Sequence, residues 1–200
     1  MTRLVVCTAL RIETLAVRGR GRTTVRVGVG PRRAAAAVPR LPAGDALAVL
    51  GFAGGLTAAG PRPGDLFVAT EVRAGERRVP CPWAADLLSL LTEAGLPAWG
   101  APLVTHDRIV TGAARSRLAV DGALAVDMES APLASGADGR PFVVLRAIVD
   151  TPDKPLASLG TPYRALLALH RLRRAVPVLS AWAARSAGHP RFPPAKEVRG

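Results

Sequence analysis

The sequence predicts an α/β fold built on a mostly parallel sheet. Near-continuous apolar runs with charged or glycine-rich ends recur along the chain, as buried parallel strands do. Segments of helical periodicity alternate with them, the order that places helices on the faces of a sheet. Two of the runs, residues 123–126 and 142–149, end in carboxylates: Asp127 and Glu129 after the first, Asp150 after the second. Ligands of α/β sheets bind beyond the carboxyl ends of the strands. If these runs are parallel strands, three acids share one crevice, an arrangement suited to proton transfer. Taken singly, the same acids read equally well as solvated loop charges.

The elements follow in order. Residues 3–9 (RLVVCTA) form a first strand, and residues 11–17 (RIETLAV) suit a helix with Ile12, Leu15 and Ala16 on one side. Glu13 falls just past the carboxyl end of that strand, on the rim of the later acids. Residues 23–28 form a second strand. The turn Gly28-Val29-Gly30-Pro31 leads into an Ala-rich helix over 32–38, with Pro31 suited to its first position. Arg33 stands where a dinucleotide-binding fingerprint needs a third glycine. Residues 46–50 form a third strand that runs into a glycine-rich turn over 51–56 (GFAGGL), either a tight bend or the floor under a ligand. PRPGD at 61–65 is a turn, 66–72 a strand and 73–78 an exposed hairpin or loop. A helix over 82–94 starts near Trp83. Short strands at 101–105 and 108–110 flank His106-Asp107, and 111–120 reads as helical or partly mobile. The last helix, about 162–186, carries Leu166, Leu167, Leu169, Leu172, Val176, Leu179 and Trp182, with Arg164, Arg171, Arg173, Arg174 and Arg185 opposite. Pro177 should kink it. Its basic face is a solvated surface or, alternatively, a membrane contact. No linker divides the chain, so residues 1–187 are expected to form one domain, and the Pro-rich stretch 188–200 a disordered tail.

Composition narrows the function classes. Of 200 residues, 27 are Lys or Arg and 15 are Asp or Glu, a net charge of +12. Such a balance suits a nucleic acid, an anionic membrane or a phosphorylated substrate. The arginines are scattered, however, without an aromatic-interleaved patch, and lysine is limited to Lys154 and Lys196. Specific nucleic-acid binding is therefore not expected. Cys7 and Cys81 lie far apart outside any CxxC context, which argues against structural zinc or a disulfide framework. Cys7 sits in an apolar run as a buried small hydrophobe. No signal peptide or bilayer-spanning run is evident, so a cytoplasmic location is expected, with peripheral membrane contact as an addition.

Four stretches together resemble the nucleoside phosphorylase/nucleosidase superfamily: residues 7–15 (CTALRIETL), 51–65 (GFAGGLTAAGPRPGD), 126–131 (VDMESA) and 144–150 (VLRAIVD). Their order and spacing match that family and cover most of residues 1–155. The chain is similar to methylthioadenosine/S-adenosylhomocysteine nucleosidases and futalosine hydrolases. Its opening, CTALRIETLAVR, and its short length look most like the hopanoid-associated branch, implicated in removing adenine from adenosylhopane to leave ribosylhopane. The resemblance implies a three-layer α/β/α fold with a central mixed, mostly parallel twisted sheet. It also implies an adenine nucleoside substrate, no cofactor or metal, and a homodimer.

The resemblance implies roles as well. N-glycosidic cleavage passes through an oxocarbenium-like sugar, and adenine leaves well only when protonated, most usefully at N7. Asp150 is the implied acid, with burial keeping the proton on it, and Glu13 the residue that orients and deprotonates water. Glu129 would take the ribose hydroxyls, Met128 would pack on the ribose, and Arg146 would steady the water and Glu13. Phe52, Ala53 and Gly54 of the glycine-rich bend, with Val126 and Asp127, complete the implied substrate-binding set. The plain alternatives are a solvated helix charge for Glu13, a strand-end ion pair for Arg146 and core packing for Met128.

Two departures bear on mechanism. Val149 stands before the acid where nucleosidases carry Ser, removing one hydrogen bond to Asp150 or to the base. Phe52 replaces a Ser at the bend, which favours water over phosphate, although Arg11 and Arg33 lie near phosphate positions. Phosphorolysis is the second reading. Methylthioadenosine/S-adenosylhomocysteine or futalosine hydrolysis shares the chemistry of the first, and a basic nucleic-acid or membrane-binding protein is the alternative of another class. For the far end of the substrate, Trp83, Leu87, Leu90, Leu91, Leu96 and Trp99 are either an apolar groove or, the weightier reading, core or subunit contact.

Overall fold

In the computed structural model residues 2–187 are described; the expected tail, 188–200, lies outside them. The apolar runs are strands: β1 (Leu4–Thr8), β2 (Arg22–Arg26), β3 (Ala46–Gly55), β4 (Leu66–Ala74), β5 (Arg77–Pro80), β6 (Ala98–Thr105), β7 (Ala125–Asp127) and β8 (Phe142–Asp150). Every residue of β1, β7 and β8 is buried, as expected of strands covered on both faces. The helices are α1 (Arg11–Val17), α2 (Pro31–Ala37), α3 (Ala84–Glu93), α4 (Ala113–Leu118), α5 (Ser130–Ser135) and α6 (Thr161–Ser186). Pro31 occupies the start of α2, and a 3₁₀ turn, Val38–Arg40, extends it.

The sheet is mixed and mostly parallel. β1 pairs in parallel with β2 and β3, β3 with β8, β4 with β6 and β6 with β7; the antiparallel pairs are β3–β7, β4–β5 and β4–β8. Because β8 bonds to both β3 and β4, the strands β3, β7, β6, β4 and β8 close into a ring, and β1, β2 and β5 extend from it. α6 lies along β8 and also packs on α1 and α3, while α2 packs on α5. The resulting α/β architecture is the expected one. The carboxyl ends of β1, β3 and β8 share one rim, since these three strands run parallel.

Several local expectations need correction. The glycine-rich stretch after Leu50 is not a turn: β3 runs on to Gly55, paired with β8 from Leu47↔Phe142 to Ala53↔Ile148, with a register shift between Ala53 and Gly54. Glycine at 51 leaves room for two charged side chains that lie across the strand. A Cβ there would meet Arg146 Nη1 at 2.6 Å and Glu13 Oε1 at 2.7 Å. Residues 108–110 form no strand, and 113–118 are helical. α1 turns Glu13 and Val17 inward and leaves Ile12 and Leu15, on one side as expected, outward, 48% and 61% exposed. Leu166 is also outward, and Arg164 is not on a solvated face: it donates to the carbonyls of Val149 and Pro155. α6 carries Pro177 inside it, as expected. Trp83, Leu87, Leu90, Leu91 and Leu96 are core, and Trp99 donates to Asp65. Cys7 is buried as expected, its thiol pushed up to about 12 by burial.

Candidate active site

The rim shared by β1, β3 and β8 opens into a cavity of about 230 Å³. Glu13, Phe52, Ala53, Gly54, Val126, Asp127, Met128, Glu129 and Asp150 all line it, so nine of the ten expected site residues meet at one wall; the tenth, Arg146, lies behind it. Leu10, Val29, Ile109 and Leu156 form much of the remaining lining, and Leu10, Val29 and Ile109 are exposed at its mouth.

Glu13 enters from the first turn of α1, directly after β1. Its Oε2 accepts the backbone N–H groups of Ala9 and Leu10 at 3.0 and 2.8 Å, and its Oε1 that of Phe52 at 2.9 Å. The carboxylate thus caps the start of its own helix and fixes it to β3. Glu13 is 2% exposed, and burial raises its pKa against the opposing amide bonds and Arg146 charge. It is not the solvated helix charge of the plain reading.

Glu129 follows β7. Its Oε1 accepts the Gly30 N–H at 2.9 Å, and its Oε2 lies 3.5 Å from Arg146 Nη2. Burial raises its pKa, partly offset by Arg146 and reinforced by Asp127. Met128 Cε is the nearest atom to where a Gly30 side chain would start, at 4.0 Å, so the tight approach of the Gly28–Gly30 turn places it beside Met128 and Glu129.

Two expected roles shift. Asp127, expected as a substrate contact, has both oxygens engaged within the protein. Thr105 donates at 2.8 Å, the Ser130 hydroxyl at 2.5 Å, and Arg146 donates as well. Arg146, expected to steady the water and Glu13, donates to Asp127 and to the Ser130 hydroxyl, at 3.1 Å to the latter, and pairs with Glu129. It is 1% exposed. Its guanidinium therefore orders the carboxylates from behind rather than entering the cavity.

Asp150 ends β8, and its partner was not anticipated. Arg115 of α4 donates to Asp150 Oδ2, to the Gly55 carbonyl at 2.5 Å and to the Val110 carbonyl at 3.0 Å. Burial raises the Asp150 pKa, and the Arg115 charge and hydrogen bond oppose that rise. Val149 does line the cavity, as its position before the acid implies. The side-chain hydrogen bond to Asp150 comes instead from Arg115, 35 residues away in the chain. The segment carrying Arg115 was legible as helical, but no signal in the sequence would have linked it to β8.

Among the described residues no group of His, Cys, Asp and Glu could hold a metal ion, and no helix is long and apolar enough to cross a membrane. Arg11 and Arg33, the arginines nearest a phosphate position by sequence, do not line the cavity.

Comparisons with known proteins agree with the fold. The model of the Phosphorylase superfamily matches residues 6–161. No curated protein matches the sequence significantly. Among solved structures, a 5'-methylthioadenosine/S-adenosyl homocysteine nucleosidase from Helicobacter pylori is similar over 92% of this chain and 98% of its own, with TM-score 0.73 and 16% identity. The futalosine hydrolase of the same organism matches over 92% and 98%, with TM-score 0.72 and 15% identity. A Neisseria meningitidis 5'-methylthioadenosine/S-adenosylhomocysteine nucleosidase, in complex with methylthio-immucillin-A, matches over 90% and 100%, with TM-score 0.73 and 20% identity.

Proposed function

The chain belongs to the phosphorylase superfamily, and from that premise we propose that it hydrolyses the N-glycosidic bond of an adenine nucleoside, with adenosylhopane, cleaved to adenine and ribosylhopane, as the substrate. The observation that carries the reading is the convergence of Glu13, Glu129 and Asp150 on one cavity. Asp150, whose pKa burial raises, acts as the acid and donates to adenine N7 as the C1′–N9 bond breaks and its electron pair passes to the base. Glu13, held by three amide groups, accepts the proton of a water that adds to C1′. Glu129 accepts the ribose hydroxyls, beside Met128.

Charge favours water over phosphate. Around the cavity stand the carboxylates Glu13, Asp127 and Glu129, the acid Asp150, and two buried guanidiniums, Arg115 and Arg146, both bonded to those acidic side chains. A third arginine, Arg108, is largely exposed and pairs with Asp107. The acids suit a cationic sugar, and the buried guanidiniums are already engaged by them rather than turned toward a phosphate.

The size and lining of the cavity support an apolar 5′ substituent. Its 230 Å³ falls below the range of about 300–1,000 Å³ usual for whole ligand pockets. A group much larger than the nucleoside has to leave through the mouth, over Leu10, Val29, Ile109 and Leu156. Trp83, Leu87, Leu90, Leu91 and Leu96 are core, the weightier of the two readings for that stretch, and do not line the cavity. The reading includes a cytoplasmic homodimer that touches an anionic membrane transiently. The exposed apolar side chains Ile12, Leu15 and Leu166 and the net charge of +12 are consistent with these contacts.

The test is incubation with adenosylhopane, methylthioadenosine, S-adenosylhomocysteine and futalosine, each with and without phosphate. Adenine release from adenosylhopane, fastest of the four and indifferent to phosphate, is the expected result. Phosphate-dependent formation of ribose 1-phosphate would convert the assignment to a phosphorylase, and absence of base release would end it.

A further inference from the structure

The mechanism above leaves one buried cation without a task. Arg115 is 3% exposed and reaches the rim from α4, a segment that contributes no other charged side chain to the cavity. All three guanidinium nitrogens are engaged. Nε donates to the Val110 carbonyl, Nη1 to that of Gly55, and Nη2 to Asp150 Oδ2. The fit needs a glycine at 54, where a Cβ would stand 3.0 Å from Asp150 Oδ1 and 3.3 Å from both terminal nitrogens of Arg115. Asp150 Oδ1, by contrast, receives no hydrogen bond from the described residues.

We propose that Arg115 is the positioning residue of the acid: it clamps Oδ2 so that Oδ1 faces the base, and it stabilises the carboxylate that Asp150 becomes on proton transfer. The inference rests on the reading of Asp150 as the acid. Asp150 begins the step as the neutral acid, and its proton moves to N7. The C1′–N9 electron pair goes to the base, and the carboxylate left behind lies against the guanidinium. That contact is stronger after transfer than before, so it lowers the barrier rather than merely binding substrate. A carboxyl buried without such a partner holds its proton too tightly to give it up near neutral pH. The Nε–Val110 bond extends the clamp to the wall formed by Arg108, Ile109 and Val110, so a base seated on that wall rests against the group that orients its acid.

The variants Arg115→Met and Arg115→Lys are compared with Asp150→Asn, on an adenine nucleoside that the wild type cleaves and on 4-nitrophenyl riboside, whose leaving group needs no proton. For Arg115→Met, kcat on the nucleoside should fall by roughly 100-fold with KM little changed. The basic limb of its pH profile should move up by about one unit or more, and 4-nitrophenyl riboside should be cleaved near the wild-type rate. Arg115→Lys, which keeps the charge, should restore the position of the limb and part of the rate, and it carries the test if the Met variant does not fold. Equal losses on both substrates with an unmoved limb would reduce Arg115 to a strut for α4 and overturn the inference. Adenine release by Asp150→Asn at the wild-type rate would instead overturn the functional reading beneath it.

Discussion

At the scale of single residues, the site is a set of acids made abnormal by burial. Glu13 and Asp150 both hold protons above the ordinary carboxylate range, in each case because desolvation outweighs the groups that favour the charge. Their proposed tasks need opposite states. Glu13 must be ionised to take a proton from water, so activity falls as pH drops through its raised value. Asp150 must be protonated, so activity falls as pH rises through its own. The profile of kcat/KM against pH should therefore be a bell with both limbs above the usual carboxylate values, reporting the coupled pair; a flat profile from pH 4 to 9 would contradict the assignment. Asp150→Asn should lower adenine release by about 10²–10⁴-fold with an unchanged circular dichroism spectrum, and steady-state release of the base measures it. Glu13, Glu129 and Asp150 were legible in the sequence because each follows an apolar run at a strand end. Arg115 was not, because a buried ion pair between distant segments leaves no local pattern. Arg146 was found, and its charge does act on Glu13, but its direct ion pairs with Asp127 and Glu129 were not named: a strand residue with the right spacing does not reveal which of several nearby carboxylates it will meet.

At the scale of elements, β3 and α1 explain most of what the pattern concealed. Gly51, Gly54 and Gly55 read as a turn because glycine is common there. In β3 they serve instead as bare backbone over which Glu13, Arg146, Arg115 and Asp150 lie. Gly51→Ala should thus disturb two charged groups at once. We expect a loss of about 1–3 kcal/mol of stability, read from denaturant unfolding, together with loss of base release. The same substitution at Gly75, where an added Cβ meets nothing within 4 Å but φ is +58°, should leave base release unaltered. α1 was found with its correct bounds, and Ile12, Leu15 and Ala16 do share one side. Which side faces the sheet was not legible: the three amide bonds to Glu13 fix the helix with its acid facing β3. A polar group that caps its own helix sets a rotation that hydrophobicity alone does not.

At the scale of the whole molecule, the α/β class and parallel character were legible because alternation and buried runs are local signals. The closed ring was not, since strand partners and directions are set by contacts distant in sequence. α1 and α6 together leave an outward apolar surface of Ile12, Leu15 and Leu166. If a second copy covers it, Leu15→Asp combined with Leu166→Asp should convert the dimer to monomer in sedimentation velocity. A wild type that sediments as a monomer at micromolar concentration would refute the dimer. The ring also decides where the sheet can be extended by a stranger. Its five members satisfy one another, and among the described residues β2 and β5 are the strands with an open side. β2 is bounded by Arg22 and Arg26, and β5 reads Arg77-Arg78-Val79-Pro80. Positive charge and a missing amide hydrogen at such margins discourage another chain from docking there and propagating into fibrils. Arginine at these margins thus disfavours extension of a Val- and Leu-rich sheet beyond its own boundaries.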